Sequence, residues 1–204
     1  MLTTAAVAAL ALSALTPIAA DVPTTPDYVT VDVVTVNGSG CPAGTSAVAA
    51  ADDRTAFTVT YSAFLAEAGG SSGPTEFRKN CQLVLQLGYP QGFTFGISKA
   101  DYRGFAHLQA GATGVEQGNY YFSGTSPTSR KTHTFHGPLS DDWQATDTTE
   151  WASIVYAPCG EKRLFNANTE LRVLAGSSQG TSFLALDSTD GSVSTRYHFS
   201  WKRC

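Results

Sequence analysis

Along most of this chain apolar and polar residues alternate at every second position, the period of a strand with one buried face. The clearest run is Cys81 to Leu87, where Cys81, Leu83, Leu85 and Leu87 fall on one side and Gln82 and Gln86 on the other. Near the C-terminus Thr195, Tyr197, Phe199 and Trp201 likewise oppose Arg196, His198, Ser200 and Lys202. The same reading predicts strands over 28–36, 46–51, 56–61, 93–98, 105–110, 115–123, 131–136, 150–157, 165–174 and 182–186. The stretch 62–68 either extends the third strand or makes one helical turn. Turn signals separate these runs, among them Asn37-Gly38-Ser39-Gly40, Asp52-Asp53-Arg54-Thr55 and Tyr89-Pro90-Gln91-Gly92. Asp101-Tyr102-Arg103-Gly104 reads as a further tight turn, with Gly104 permitting the bend. No segment keeps a 3.6-residue period. About eleven short strands therefore predict an all-β fold. Its strands would form two packed antiparallel sheets, a β-sandwich, with a jelly roll among the candidate wirings.

The two ends of the chain add a compartment. Met1 to Ala20 is apolar and uncharged and closes on small residues before Asp21, the pattern of a secretory signal peptide, although no basic residue precedes the apolar run. No later stretch is apolar enough to span a bilayer. The remaining residues, 21–204, have the size of a single secreted domain. They carry four cysteines, Cys41, Cys81, Cys159 and Cys204, with no Cys-x-x-Cys spacing. Two disulfides are expected rather than a zinc site. Three pairings exist; Cys41 with Cys81 and Cys159 with Cys204 is favoured, because each joins neighbouring segments and the second clamps the C-terminus. The formal charge of −4 and scattered basic residues argue against a nucleic-acid partner or an anionic membrane. A monomer without a cofactor or metal is the expectation.

Several landmarks occur in a set order. They are Gly38-Ser39-Gly40-Cys41-Pro42, Arg78-Lys79-Asn80-Cys81-Gln82, Pro90-Gln91-Gly92-Phe93, Asp101-Tyr102-Arg103-Gly104, Cys159-Gly160 and the closing Trp201-Lys202-Arg203-Cys204. Together they resemble a family of small secreted fungal and bacterial proteins known as domain of unknown function 4360. The resemblance runs from about Val31 to Cys204 and implies an extracellular, disulfide-bonded protein. It brings no catalytic residues with it.

Candidate chemistry is sparse. Gly-x-Ser-x-Gly occurs at Gly69–Gly73 and Gly176–Gly180, but neither lies between a strand and a helix as a nucleophile elbow must. His133 and His136, three apart on a strand, face opposite ways, and His107 and His198 stand apart from them. The paired carboxylates Asp52/Asp53 and Asp141/Asp142 read as loop residues, and Asp187-Ser188-Thr189-Asp190-Gly191 as a hairpin turn rather than a calcium loop. Asp101, Tyr102 and Arg103 form the most suggestive cluster for contacting a ligand, and Trp143, beside two aspartates, is the best candidate for an exposed binding aromatic. Asn37 heads an N-glycosylation sequon, Asn37-Gly38-Ser39. The leading functional expectation is an extracellular binding module for a glycan or protein ligand. A carbohydrate-active hydrolase or lyase on the same sandwich, and a structural wall or coat component, are the rivals.

Overall fold

The computed structural model describes residues 25–126, 128–186 and 194–204. The signal-peptide reading of 1–20 and the hairpin-turn reading of 187–191 lie outside the described residues. Twelve strands follow one another: β1 (Thr30–Asn37), β2 (Ser46–Ala50), β3 (Ala56–Tyr61), β4 (Leu65–Ala68), β5 (Arg78–Gly88), β6 (Phe93–Leu108), β7 (Thr113–Phe122), β8 (Thr128–His136), β9 (Leu139–Thr148), β10 (Phe165–Leu174), β11 (Ser182–Ala185) and β12 (Ser194–Arg203). A 3-10 turn, Trp151–Ser153, follows β9.

The strands form two antiparallel sheets. The first has five strands in the order β1-β5-β10-β7-β8, and the second has seven. In the second, β6 is flanked on one side by β9, and on the other by β12 along its first part and β11 along its last. Period-two alternation fills the space between the sheets. From the first sheet come Leu83, Leu85 and Leu87 on β5, Phe122 on β7 and Phe165 on β10; from the second come Phe57, Phe95, Tyr102 and Tyr197, all fully or almost fully buried. Phe57 stacks on Tyr197 with ring centres 4.7 Å apart and meets Phe165 of the opposite sheet edge-on at 6.3 Å. Phe95 meets Phe122 edge-on at 5.2 Å. Such aromatic contacts each add about 1 kcal/mol beyond area burial, and they tie one sheet to the other.

Most of the alternating runs became strands where the pattern predicts them. Three did not. The Asp101–Gly104 turn is absent, because β6 runs straight through it for 16 residues. Gly104 serves close approach rather than bending: a Cβ there would lie 1.9 Å from the Ala185 carbonyl oxygen and 2.6 Å from the Trp143 ring. The polar stretch around Asp141 and Asp142 is not a loop but the edge strand β9. Asp141 and Asp142 are both exposed to water, while Trp143, Ala145 and Asp147 are buried. The strand expected over 150–157 is replaced by the 3-10 turn and a single bridge between Gly96 and Tyr156.

Both disulfides join the segments that the spacing favours. Cys41–Cys81 ties the loop after β1 to β5, and Cys159–Cys204 ties the approach to β10 to the last residue, with Cα–Cα separations of 5.3 and 5.6 Å. The bridged residues are 40 and 45 apart in sequence. Loops of that size confer on the order of 4 kcal/mol each by restricting the unfolded chain. Replacing Cys159 and Cys204 together by serine should therefore lower the urea midpoint by an amount equivalent to about 4 kcal/mol while leaving the far-ultraviolet circular dichroism of a β protein intact. An unchanged midpoint would remove the clamp from the stability account.

Candidate functional site

Inward alternation on one strand fixes what the same strand shows to water. In the five-stranded sheet the outward positions of β5, β10 and β7 include seven carboxamides: Asn80, Gln82 and Gln86; Asn166 and Asn168; Gln117 and Asn119. Register aligns them across strands. Asn37 on β1 stands opposite Gln82, Gln82 opposite Asn168, Asn168 opposite Asn119, and Asn119 opposite Arg130 at the β8 edge. One row of polar side chains thus crosses the whole sheet. A second row, through Thr35, Val84, Asn166, Tyr121 and Thr128, runs beside it.

Hydrogen bonds between neighbours hold the amides in place. Asn168 Nδ2 donates to Gln82 Oε1 at 2.9 Å, Asn166 Nδ2 to Ser123 Oγ at 2.9 Å and Thr128 Oγ1 to Asn119 Oδ1 at 2.6 Å. Gln117 Nε2 donates to Thr132 Oγ1 at 2.8 Å. Gln82 Nε2 also donates to the Leu83 carbonyl and to Asn166 Oδ1, both at 3.4 Å, and the largely buried Asn166 donates to the Leu164 carbonyl as well. What Gln82 offers toward solvent is therefore chiefly the remaining lone pair of its carbonyl oxygen. Charge collects at the end of the face, where Arg78 and Arg172 both grip Glu170. Burial opposes ionisation of Glu170, but the hydrogen bonds from the two arginines outweigh it and hold the carboxyl below its ordinary range.

A second cluster lies inside the sandwich at the seam between β8 and β9. Asp147 accepts a hydrogen bond from Tyr120 Oη at 2.7 Å, and His133 Nε2 lies 2.6 Å from its other oxygen. His133 thereby links the edge of one sheet to the edge of the other. Behind them Glu116 has no solvent exposure, and neither of its oxygens has a hydrogen-bond partner. Burial, reinforced by the nearby charge of Asp147, pushes its carboxyl well above the ordinary value and favours the protonated form. The hydroxyls of Tyr61, Tyr102 and Tyr197 are also buried without partners. A groove of about 730 Å³, bordered by Ser129, Lys131, Thr149 and Glu150, opens beside this seam. A narrow inner pocket of about 30 Å³ reaches Tyr120 and Asp147. That is room for about one or two waters.

The residues singled out in the sequence fall in different places. Asp101 and Arg103 lie on the outer face of the seven-stranded sheet, whereas Tyr102 between them is fully buried and its ring packs edge-on against Tyr197. Partial burial works against ionising Asp101, yet hydrogen bonds from Lys99, Thr146 and His198 keep its carboxyl lowered. Its oxygens are occupied by Lys99 Nζ at 2.9 Å, Thr146 Oγ1 at 2.7 Å and His198 Nε2 at 2.8 Å, which makes it a cross-strand tie. Trp143 is not an exposed aromatic: it is 5% exposed and packs on Phe135 at 5.0 Å. Tyr102 and Trp143 are therefore core, placed there by the alternation of strands whose length the local sequence concealed. Trp151, 65% exposed on the 3-10 turn next to the groove, is the open tryptophan instead. Asn37 is exposed at the end of β1. Among the described residues no group of three or more His, Cys, Asp or Glu side chains is arranged to hold a metal ion, and no helix is long and apolar enough to cross a membrane.

Fold and disulfides define a disulfide-bonded, two-sheet β protein of the kind found in oxidising, extracellular settings. The chain belongs to the family described as "Domain of unknown function (DUF4360)", whose model matches residues 27–204. It is also 37% identical over 179 residues to an uncharacterized secreted protein of Arthroderma benhamiae, a match that covers 88% of this chain and 73% of the relative.

The isolated carboxyl of Glu116 carries a pH signature. Folding raises its pKa above the unfolded value near 4.5, so the folded state keeps a proton that the unfolded state releases. The contribution is neutral below pH 4.5 and costs stability progressively as pH rises above it. Glu116→Gln should accordingly match the parent in thermal unfolding at pH 4 and exceed it at pH 8. Equal melting temperatures of the two proteins at both pH values would show that Glu116 ionises freely.

Proposed function

We propose that this protein is an extracellular binding module whose ligand is a neutral polysaccharide, held on the outer face of the five-stranded sheet. The observation that carries this reading is the cross-strand row Gln82–Asn168–Asn119 with its neighbours. Carboxamides match sugar hydroxyls as both donors and acceptors, and a face without central charge favours an uncharged partner. Strands about 4.8 Å apart repeat that chemistry at regular intervals, which suits an extended repeating ligand better than a compact one. Val84 and Tyr121 in the adjoining row supply apolar surface for the faces of sugar rings.

Retention on insoluble cellulose, chitin, β-glucan and mannan, with pectate as the charged control, tests the reading. Binding to a neutral polymer should weaken about fivefold for each of Gln82→Ala and Asn168→Ala, the loss of roughly one hydrogen bond of 1 kcal/mol, with thermal unfolding checking that each variant folds. If the parent is retained on none of the neutral polymers, the reading falls.

The seam supports a second reading, a carbohydrate-active hydrolase. There a water-sized pocket meets the Asp147 carboxylate, which Tyr120 and His133 orient, beside a groove of about 730 Å³. A carboxylate so placed has the geometry to take a proton from water attacking a glycosidic carbon. Release of reducing ends from soluble polysaccharides, lost by about a hundredfold or more in Asp147→Asn, would establish it. Absence of turnover by the parent would leave the seam as a structural tie.

A further inference from the structure

The amide row does not end at Gln82. Its outermost member, on the edge strand, is Asn37, and Asn37 is the acceptor of the only Asn-x-Ser/Thr sequon in the sequence, Asn37-Gly38-Ser39. Local geometry fixes where a group attached there would go. Val36 packs toward the core and Asn37 is exposed, and its register partner Gln82 lies between the inward Cys81 and Leu83. Asn37 and Gln82 therefore share the outer face. The chain beyond is pinned: Gly38, at φ +135°, lies so close to β5 that a Cβ would come within 2.1 Å of the Asn80 carbonyl oxygen. Ser39 Oγ accepts a hydrogen bond from the Asn80 backbone N–H at 3.2 Å. The loop cannot swing Asn37 away from the sheet without breaking these contacts and moving Cys41, which the disulfide holds to β5.

Gln82, Asn168 and Asn119 stand one, two and three strands inward from Asn37, or about 5, 10 and 14 Å at the usual strand spacing. That is the span of a short oligosaccharide rooted at the row's end. We propose that Asn37 is N-glycosylated and that the first sugars of its glycan lie along this row, so that the modified protein covers its own ligand face. In the transfer, the anomeric carbon of a lipid-diphosphate-linked oligosaccharide forms a bond to Asn37 Nδ2 as its bond to the diphosphate oxygen breaks. The amide gives up one proton, and the lipid diphosphate departs. The folded geometry holds Ser39 against Asn80, so the transfer acts on the chain before this loop closes. The docking rests on the same hydrogen-bonding chemistry that we assign to the face as a polysaccharide site, with a tethered ligand in place of a free one. Attachment raises the local concentration of the glycan over the row to the millimolar range, enough to compete with a weakly held polymer.

The test secretes the full chain and its Asn37→Gln variant from a yeast host. Intact mass should show one glycan on the parent that is missing from Asn37→Gln. An endoglycosidase acting on the folded parent should release that glycan about fivefold more slowly than from a Gln82→Ala, Asn168→Ala double variant, whose row can no longer hold it. On the polymer that retains unglycosylated protein, the glycosylated parent should bind about fivefold more weakly than its enzymatically deglycosylated form. An unmodified Asn37, or equal release rates from parent and double variant, overturns the proposal. Equal retention of the two forms overturns the self-covering while leaving the polysaccharide reading in place. If neither form binds any polymer, that reading fails by itself, and the release rates alone decide whether the glycan docks.

Discussion

The meeting of two sheets across a shared aromatic layer is the constraint from which the rest of this molecule follows. Phe57 and Phe95 on one side and Phe122 and Phe165 on the other must reach each other between the sheets. That requirement sets the register of the strands that carry them. Because side chains alternate, a slip of one residue would exchange every inward group for its outward neighbour, so a register fixed by burial also fixes the outer surface. The amide row is thus the counterpart of the core. Gln82 faces water because Cys81 and Leu83 do not. The disulfide at Cys81 reinforces the same choice, tying the loop after β1 to an inward position of β5 and aligning Asn37 with Gln82.

How far the sequence disclosed this depends on distance along the chain. Alternation within six to ten residues marked β3, β5, β7, β10 and β12, because each writes its buried face in consecutive side chains. The edge strand β9 escaped, since its exposed aspartates Asp141 and Asp142 mimic a loop and one of its buried residues, Asp147, is polar. The 16-residue β6 was read as two strands and a turn because Asp, Arg and Gly in succession usually break a sheet. In this fold, Asp101 is satisfied by three partners from its own and adjacent strands, and Gly104 makes room for the Trp143 ring. Those partners lie up to 97 residues away in sequence. No local pattern announces them.

The candidate face was hidden for the same reason, at greater scale. Each of Asn37, Gln82, Asn119 and Asn168 is unexceptional alone, and only the pairings of β1 with β5, β5 with β10 and β10 with β7 place them in one line. Tyr102 and Trp143 attracted attention by composition, as aromatics beside charge, but the length of β6 and β9 turned both inward. Residue type shows which chemistry a side chain has. Register decides whether it is offered to anything.

The core itself is not uniformly apolar, and the position of its exceptions is informative. Glu116 sits on β7 opposite His133 on β8, and Tyr120, four residues further along β7, bonds Asp147. These groups gather where the sheets are joined by β8 and β9, at the edge farthest from β1 in the five-stranded sheet. Burial first, and the charge of Asp147 second, hold the unpartnered carboxyl of Glu116 in favour of its protonated form, at a cost to stability that grows as pH rises above 4.5. Replacing the cluster by hydrocarbon would remove that cost, yet it would also remove the His133–Asp147 bond that joins the two sheet edges. The polar seam and the amide face therefore lie on opposite sides of the first sheet's strands, one turned inward and the other outward. Changes in the seam reach the amide row only through the backbone of β7 and β8. Asn119 is where that influence would enter, since it lies between Gly118 and Tyr120 on the strand that carries Glu116.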